Sequence, residues 1–489
     1  MARVLAVDIG TSSIRAAVYG RGLQPLRQGA QVRYRWRTGS DGSVEASAAT
    51  MERAVAQAID GALDGVRSRI DAVAVAAFWH TLIGVDAQGR ALTAVIPWSD
   101  TRSGHEVEAL RNRLDERAVH ARTGCRIHST YWPARLRWFA DRDAKTFRRV
   151  RRWTTFPAYL ERRWLGRSAE SRSQASATGM FLHGPATWDP ELCAACEITP
   201  DQLEPIVDLD DSGGRPSAAI ARRWPQLREA RWLPPFGDGA ANNVGAHCTI
   251  RGRAALMIGS SGALRQLWET DRPPEVPFAL WRYCLDRRRV VVGAALSNGG
   301  NFVAWMRQTF GLDDGTGGAK PAARADAAIA RVAPASHGLT VLPFLAGERS
   351  PDYPSDAFAT ISGLRLSTTR EEILRAGLEA VGYRFFEVLQ DLVAVAPITR
   401  LMATGTALTA SRVWPQILAD ALGCALTVPR DHELTSRGAA ILGFEQLGVA
   451  VHQLDPAVAR VFHPDPRTHA TYTAAAERQR RLLRALVLT

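Results

Sequence analysis

Arg3-Val4-Leu5-Ala6-Val7-Asp8-Ile9-Gly10-Thr11-Ser12-Ser13-Ile14-Arg15-Ala16-Ala17-Val18-Tyr19 reads as strand, tight turn, strand. Val4 to Val7 form the short apolar run of a strand buried on both faces. Asp8 closes that run, Gly10 permits backbone geometry that a side chain forbids, and three hydroxyls follow. A carboxylate at the end of a buried strand costs desolvation energy unless something cationic meets it. Beside a Gly-Thr-Ser-Ser turn, a magnesium ion carried on nucleotide phosphates would meet it, with N–H groups and hydroxyls as donors. An ordinary hairpin with a polar tip satisfies the same residues.

A second stretch repeats the design. Arg253 to Ile258, Gly259-Ser260-Ser261 and Gly262 to Trp268 again read as strand, Gly-hydroxyl-hydroxyl turn and strand, with Arg265 near the start of the return strand. Two such units half a chain apart predict two similar domains facing each other, each offering a turn that grips phosphate. The copy has no aspartate, so the turns cannot have identical roles.

The chain of 489 residues is long enough for two or three domains. Its 46% apolar and 22% charged content is that of a soluble globular protein, and the longest apolar runs are too short to span a bilayer. No basic n-region followed by an apolar stretch opens the sequence, so no signal peptide is expected. Six cysteines do not make a disulfide framework in so long a chain, and a reducing cytoplasm is the expected compartment. Cys193 and Cys196 have redox or half-zinc spacing, but no second pair exists and they are read as coincidental. The net charge of +12 is carried almost wholly by arginine, since Lys145 and Lys320 are the only lysines. No nucleic-acid-binding signature accompanies it; neither nucleic acid nor membrane is expected as a partner, and steering of small anions is.

Further along, the strand Ile70 to Phe78 ends in Trp79-His80, and Ile96-Pro97-Trp98-Ser99-Asp100-Thr101-Arg102 precedes an amphipathic helix. Ligands of open α/β sheets lie at such strand ends. Trp79, His80, Asp100 and Arg102 suit a hydroxyl-rich, acidic ligand: Asp accepts from hydroxyls, Arg grips a carboxylate, and indole covers a sugar ring. A helix capped at Asp100 and an internally satisfied His80 account for the same residues. Asp238, between Gly237 and Gly239 at a strand-to-helix junction, reads as an N-cap, a base, or both. A helix is expected from Ala48 to Val66, a polar small-residue loop at Ser173 to Phe181, a surface loop at Asp313 to Lys320, and a long core helix from Thr369 to Val395. Gly405-Thr406-Ala407 ends another strand, where a glycine turn can lie against a nucleotide base. No Walker A loop, His-Glu-x-x-His, nucleophile elbow or dinucleotide fingerprint is present.

Together these motifs resemble the FGGY carbohydrate kinases of the actin-like ATPase superfamily, from about Arg3 to Gly448 and in the family's order. Asp8 to Arg15 looks like the first phosphate motif and Gly259 to Arg265 the second. Gly237-Asp238-Gly239 is similar to the segment carrying the catalytic Asp. Pro343 to Pro351, and Gly405 with Glu433 to Gly438, match the carboxy-terminal signature and adenosine region. The resemblance is greatest to the gluconokinase branch, through Trp79 to Ile83, Trp98 to Arg102 and Gly259 to Ala263. Trp79 and Thr81 replace smaller or more flexible family residues, and Thr406-Ala407 replaces part of a glycine run.

The resemblance implies an α/β fold of two ribonuclease-H-like domains with a catalytic cleft between them. Residues 1–246 would bind the sugar and carry the base, 247–450 would bind the nucleotide, and 451–489 would be a helical extension. It implies ATP-dependent phosphorylation of a sugar or sugar acid, gluconate foremost, with Asp238 as base and Asp8 holding Mg²⁺. Gly10, Thr11, Ser12, Ser13, Arg15, Gly259, Ser260, Ser261, Gly299, Gly405 and Thr406 would bind ATP; Trp79, His80, Asp100 and Arg102 would bind the acceptor. The within-family alternative is a xylulose or other polyol kinase, and the alternative from another class is a nucleotide-switched binding protein. The enzyme is expected as a monomer or homodimer.

Overall fold

The structure, a computed structural model, describes residues 2–211, 214–311, 319–345, 347–354, 357–451 and 455–487. Two large sheets organise them. In the first, Val4–Ile9 lies at the centre, antiparallel to Ser13–Tyr19 and parallel to Ala72–Ala77; Ala30–Arg33 and Arg231–Trp232 lie outside these. In the second, Gly252–Ile258 is antiparallel to Gly262–Glu269 and parallel to Ile398–Thr404. Arg289–Leu296 and Trp281–Cys284 extend one side, Leu426–Pro429 and Val458–Phe462 the other. Each sheet thus pairs an antiparallel hairpin with a parallel crossover strand, the expected ribonuclease-H-like pattern used twice.

Alternation along Val4–Ile9 decides what faces what. Leu5, Val7 and Ile9 pack with Met51, Val55 and Ile59 of the helix Ala48–Leu63. Val4 and Ala6 point the other way, into a cluster with Ala240, Ala241, Val244, Ala439 and Ile441. Asp8 shares that second face, and it therefore looks toward the other half of the molecule.

The helices Asp238–Gly245 and Leu434–Gln446 fill the space between the sheets. Their backbones touch: a Cβ at Gly245 would come within 1.8 Å of the Leu434 carbonyl oxygen, and one at Gly438 within 1.8 Å of that of Ala241. Leu434–Gln446 comes late in the chain but packs on the first sheet, with Gly443 against Val4. The segment beyond 450 is more than a helical extension. Val458–Phe462 adds an edge strand opposite Leu426–Pro429, and Pro466–Leu486 buries Tyr472 and Leu483.

One local expectation changes. Ser173, Gln174, Ser176 and Thr178 are all buried, and Arg172–Ala175 is a short helix rather than an open loop. The expected surface loop at 313–320 falls mostly outside the described residues, and the helix Ala319–Ala330 takes its end. No described helix is long and apolar enough to cross a membrane.

Candidate active site

Asp238 is the first residue of the helix Asp238–Gly245, delivered by Phe236–Gly237, which pairs in parallel with Ala76–Ala77. The glycines on either side are required by close packing. A Cβ at Gly237 would lie 1.9 Å from Trp79 Cε2, and one at Gly239 would lie 2.3 Å from Arg265 Nη1. The Asp238 carboxylate accepts the Gly239 N–H at 2.7 Å. Burial pushes its pKa up, and Arg265 opposes that shift.

Asp238 lines a cavity of about 110 Å³ built from both halves of the molecule. Thr11 of the first turn and Ser261 and Gly262 of the second border it, as do Trp79, His80, Arg265 and Arg349. Asp8 is buried close by, 3.7 Å from Arg15. Burial, reinforced by the charge of Asp238 and opposed by Arg15, raises the Asp8 carboxyl to about 7. Two buried carboxylates that repel each other, only partly offset by Arg15 and Arg265, form an electrostatic environment suited to a cation. Among the described residues no three His, Cys, Asp or Glu side chains cluster as a metal cage. The donor set therefore fits a cation that arrives with phosphate ligands of its own.

The two turns are held differently. Gly10 N–H donates to the Ser13 carbonyl at 3.1 Å, while the Gly10 and Thr11 carbonyls accept from Tyr34 Oη and Trp36 Nε1. Ser12 is exposed, whereas the Ser13 hydroxyl is buried and accepts from Gln31 Nε2 at 2.9 Å. Arg15 also reaches Glu433, at 3.4 Å. In the second turn the carbonyls of Gly259 and Ser260 accept the N–H groups of Gly300 and Asn301. Gly299 precedes that helix, Gly300–Thr309. Gly405, at φ +92°, lies so close that a Cβ would sit 2.4 Å from the Ile258 carbonyl oxygen. Thr406 then opens the helix Thr406–Ala410. Gly259, Ser260, Ser261, Gly299, Gly405 and Thr406 are thus brought together at one end of the second sheet.

The expected acceptor residues divide. Trp79 donates its indole N–H to the Ser173 carbonyl at 3.0 Å. His80, at φ +70°, places Nδ1 2.6 Å from the Ala177 carbonyl oxygen. Burial lowers its pKa to about 3, so the ring is neutral. A carbonyl can only accept, so Nδ1 carries the hydrogen and Nε2 is left as an acceptor. Asp100 and Arg102, by contrast, do not line the cavity. Asp100 is wholly buried, accepting the Val44 N–H at 2.7 Å and Arg102 Nε at 2.9 Å. Arg102 Nη2 continues to Glu45 at 2.8 Å. The pair ties the loop after Ile96 to the segment before Ala46.

Sequence reasoning missed the aromatic wall. Trp281 and Tyr283, two apart on an edge strand of the second sheet, stack at 4.0 Å, and Trp79 meets both edge-on. Their period-two spacing was the available signal. Arg349 sits over Trp98 at 4.3 Å, with Tyr131 and Tyr353 also lining the cavity. Cys193 and Cys196 are buried free thiols whose pKa is pushed up, consistent with coincidental spacing.

Two mixed α/β halves with phosphate-type turns meeting over a buried carboxylate define an actin-like, ribonuclease-H-like ATPase architecture. The chain belongs to the FGGY family of carbohydrate kinases: its N-terminal domain matches residues 3–225 and its C-terminal domain residues 255–447. A gluconokinase of Bacillus subtilis (strain 168) is 28% identical over 452 residues, covering 91% of this chain and 88% of that one. The crystal structure of a gluconate kinase from Lactobacillus acidophilus superposes with a TM-score of 0.90 at 22% identity, covering 99% of this chain and 98% of the other. A ligand-bound xylulose kinase from the same organism superposes with a TM-score of 0.91, also at 22% identity and with the same coverage. Membership of a kinase family implies ATP as phosphoryl donor.

Proposed function

We propose that the protein transfers a phosphoryl group from ATP to a hydroxyl of a sugar acid, gluconate foremost, with Mg²⁺. The observation that carries this reading is that Thr11, Ser261 and Asp238 border one cavity. An acceptor hydroxyl and the end of a triphosphate would meet there.

Asp238 accepts the proton of the attacking hydroxyl at its carboxylate, while the neutral His80 accepts from another hydroxyl through Nε2. The N–H groups of Gly10 and Gly259 close their own turns, so the donors to phosphate oxygens would be those of Thr11, Ser12, Ser260 and Ser261. Arg265 beside Asp238 offsets charge at the reacting end. Asp8 would hold the metal, which neutralises charge on the phosphates when bound. Rate enhancement then comes from positioning and charge neutralisation in a site from which closure removes water. The sequence division at 246 assigns base and nucleotide to separate domains, yet the acceptor wall draws Trp281, Tyr283 and Arg349 from the second half.

The likeness to a xylulose kinase favours a neutral ketose or polyol as the second reading. Measuring ADP release with gluconate, xylulose and glycerol separates the two. Binding of ATP with no acceptor-dependent turnover on any of them would leave the nucleotide-switched binding protein instead.

A further inference from the structure

We infer that Arg349, and not Arg102, is the cation that recognises the carboxylate of the acceptor. The inference rests on the sugar-acid reading and names the residue that makes the site selective for an acid.

Three arginines were candidates around the acceptor. Arg102 is held by Asp100 and Glu45, both within 2.8 Å, and lies outside the cavity wall. Arg265 belongs to the reacting end: its charge acts on Asp238, and its Nη2 lies 3.5 Å from Met257 Sδ. Arg349 is different. It is 8% exposed, yet no carboxylate lies within ion-pair distance of its guanidinium among the described residues. Nη2 donates to the Leu296 carbonyl at 3.0 Å, and Nε is buried without a partner. The adjacent Glu348 forms no ion pair with the guanidinium, its Oε1 accepting the Ser297 and Arg349 backbone N–H groups, but it borders the neighbouring cavity and its charge offsets part of the cost of burying Arg349.

A cation this buried and unpaired is costly to the free protein, and an anionic ligand would remove that cost. The location suits such a ligand. Arg349 forms part of the wall of the acceptor cavity and of a neighbouring cavity of about 170 Å³; the two share Trp98, Thr130 and Arg349. Trp98 packs on the flat of the guanidinium at 4.3 Å, which holds its plane and leaves its edges for a carboxylate. Thr130 supplies a hydroxyl on the same wall. A polyhydroxy acid seated with one hydroxyl at Asp238 and its carboxylate at Arg349 would be touched by charged groups of both signs where it needs them.

The test compares gluconate with glucitol, its neutral counterpart, in wild type, Arg349→Lys and Arg349→Gln. Wild type should favour gluconate. Arg349→Gln should raise the gluconate KM at least tenfold with kcat and the glucitol KM changed by less than threefold, and Arg349→Lys should recover part of the loss. Melting curves of each variant with and without gluconate keep the result readable should activity be low. Loss of the gluconate-induced shift with retention of the ATP-induced one supports the inference. Equal losses for both acceptors, or an unchanged gluconate KM, would overturn it while the sugar-acid reading stands. Wild type favouring glucitol would overturn the sugar-acid reading itself.

Discussion

Asp8 and Met257 hold the same place in two copies of one hairpin. Each is the second-last residue of its strand, two before the turn glycine, and each lies on the face that looks into the cleft. Asp8 stands opposite Arg15, whereas Met257 stands opposite Ala263. The second turn is one residue shorter and its arginine lies one residue farther from the turn glycine, so Arg265 pairs with Ala255 and lays its guanidinium along the Met257 sulfur toward Asp238. One duplicated element thus offers a carboxylate from one side of the cleft and a guanidinium from the other. A phosphoryl group carried on a metal calls for that asymmetry, with an anion for the metal and a cation for the base and the transferring oxygens.

The first prediction concerns the base. Asp238→Asn keeps the helix start and the Trp79 packing but cannot take a proton. Turnover should fall by about 10²–10⁴-fold, the usual contribution of a positioned base, while ATP binding changes little. The raised pKa of Asp238 means that wild-type kcat/KM should climb with pH through a point above the ordinary carboxylate range. That acidic limb should vanish from the residual rate of the variant, which a pH–rate profile reads directly.

Asp8 links function to stability. Its pKa is raised from an ordinary 3.8 to about 7, so the folded protein binds a proton here that the unfolded chain has released over that interval. Stability of the ligand-free protein should therefore be lost as pH rises from about 4 to 7, and the full cost remains above that. Asp8→Asn removes the cost. It should raise the melting temperature at pH 8, by a free energy on the order of 2–4 kcal/mol, and leave it nearly unchanged at pH 4. The same variant should need more Mg²⁺ for nucleotide binding. A melting temperature that does not respond, together with an unchanged magnesium titration, would show that Asp8 is neither charged nor metal-facing.

The hairpins, their glycine turns and the Gly-Asp-Gly junction were readable because each is local: strand, turn and chemistry lie within about ten residues, and period two tells which side chains share a face. The aromatic wall was harder to read. Trp281 and Tyr283 come from an edge strand of the other half, and only the meeting of the two sheets carries them to Trp79. Arg102 shows the opposite limit. An Asp and an Arg two residues apart after a strand look like a ligand grip, but they bond each other, and Glu45, 57 residues upstream, completes the network. The helix Leu434–Gln446 shows the same limit at the scale of the fold, since nothing in its sequence says that it packs on the first sheet.

Trp79 stands where the family resemblance implies a smaller residue, and the glycines around Asp238 accommodate it. Gly237→Ala would drive a methyl group into the indole at about half a normal contact distance. The indole must move, taking the neighbouring wall of the acceptor cavity with it. We expect a loss of about 1–3 kcal/mol in stability, typical of overpacking, and a larger loss in kcat than in ATP affinity. Trp79→Phe in the same chain should restore part of both, because the smaller ring vacates the space. Additive losses in that double-mutant cycle would refute the direct packing of Trp79 on Gly237.

The last prediction follows from the pairing of Asp100 with Arg102. Asp100 is fully buried, and the arginine provides its Nε and backbone N–H while bridging to Glu45. Arg102→Ala leaves a buried carboxylate with two backbone donors, the Val44 N–H and the N–H of residue 102 itself, and no guanidinium bonded to it. Removing one member of a buried pair costs about 3–5 kcal/mol because the other charge is stranded. The variant should therefore be strongly destabilised, and gluconate and a neutral acceptor should suffer alike in KM. Adding Asp100→Asn should recover stability, since the stranded charge is gone, without restoring either KM selectively. A variant that folds normally but loses gluconate alone would return Arg102 to the ligand and remove the case for Arg349; loss of stability with equal effects on both acceptors leaves Arg102 as the tie between the loop and the segment at Glu45.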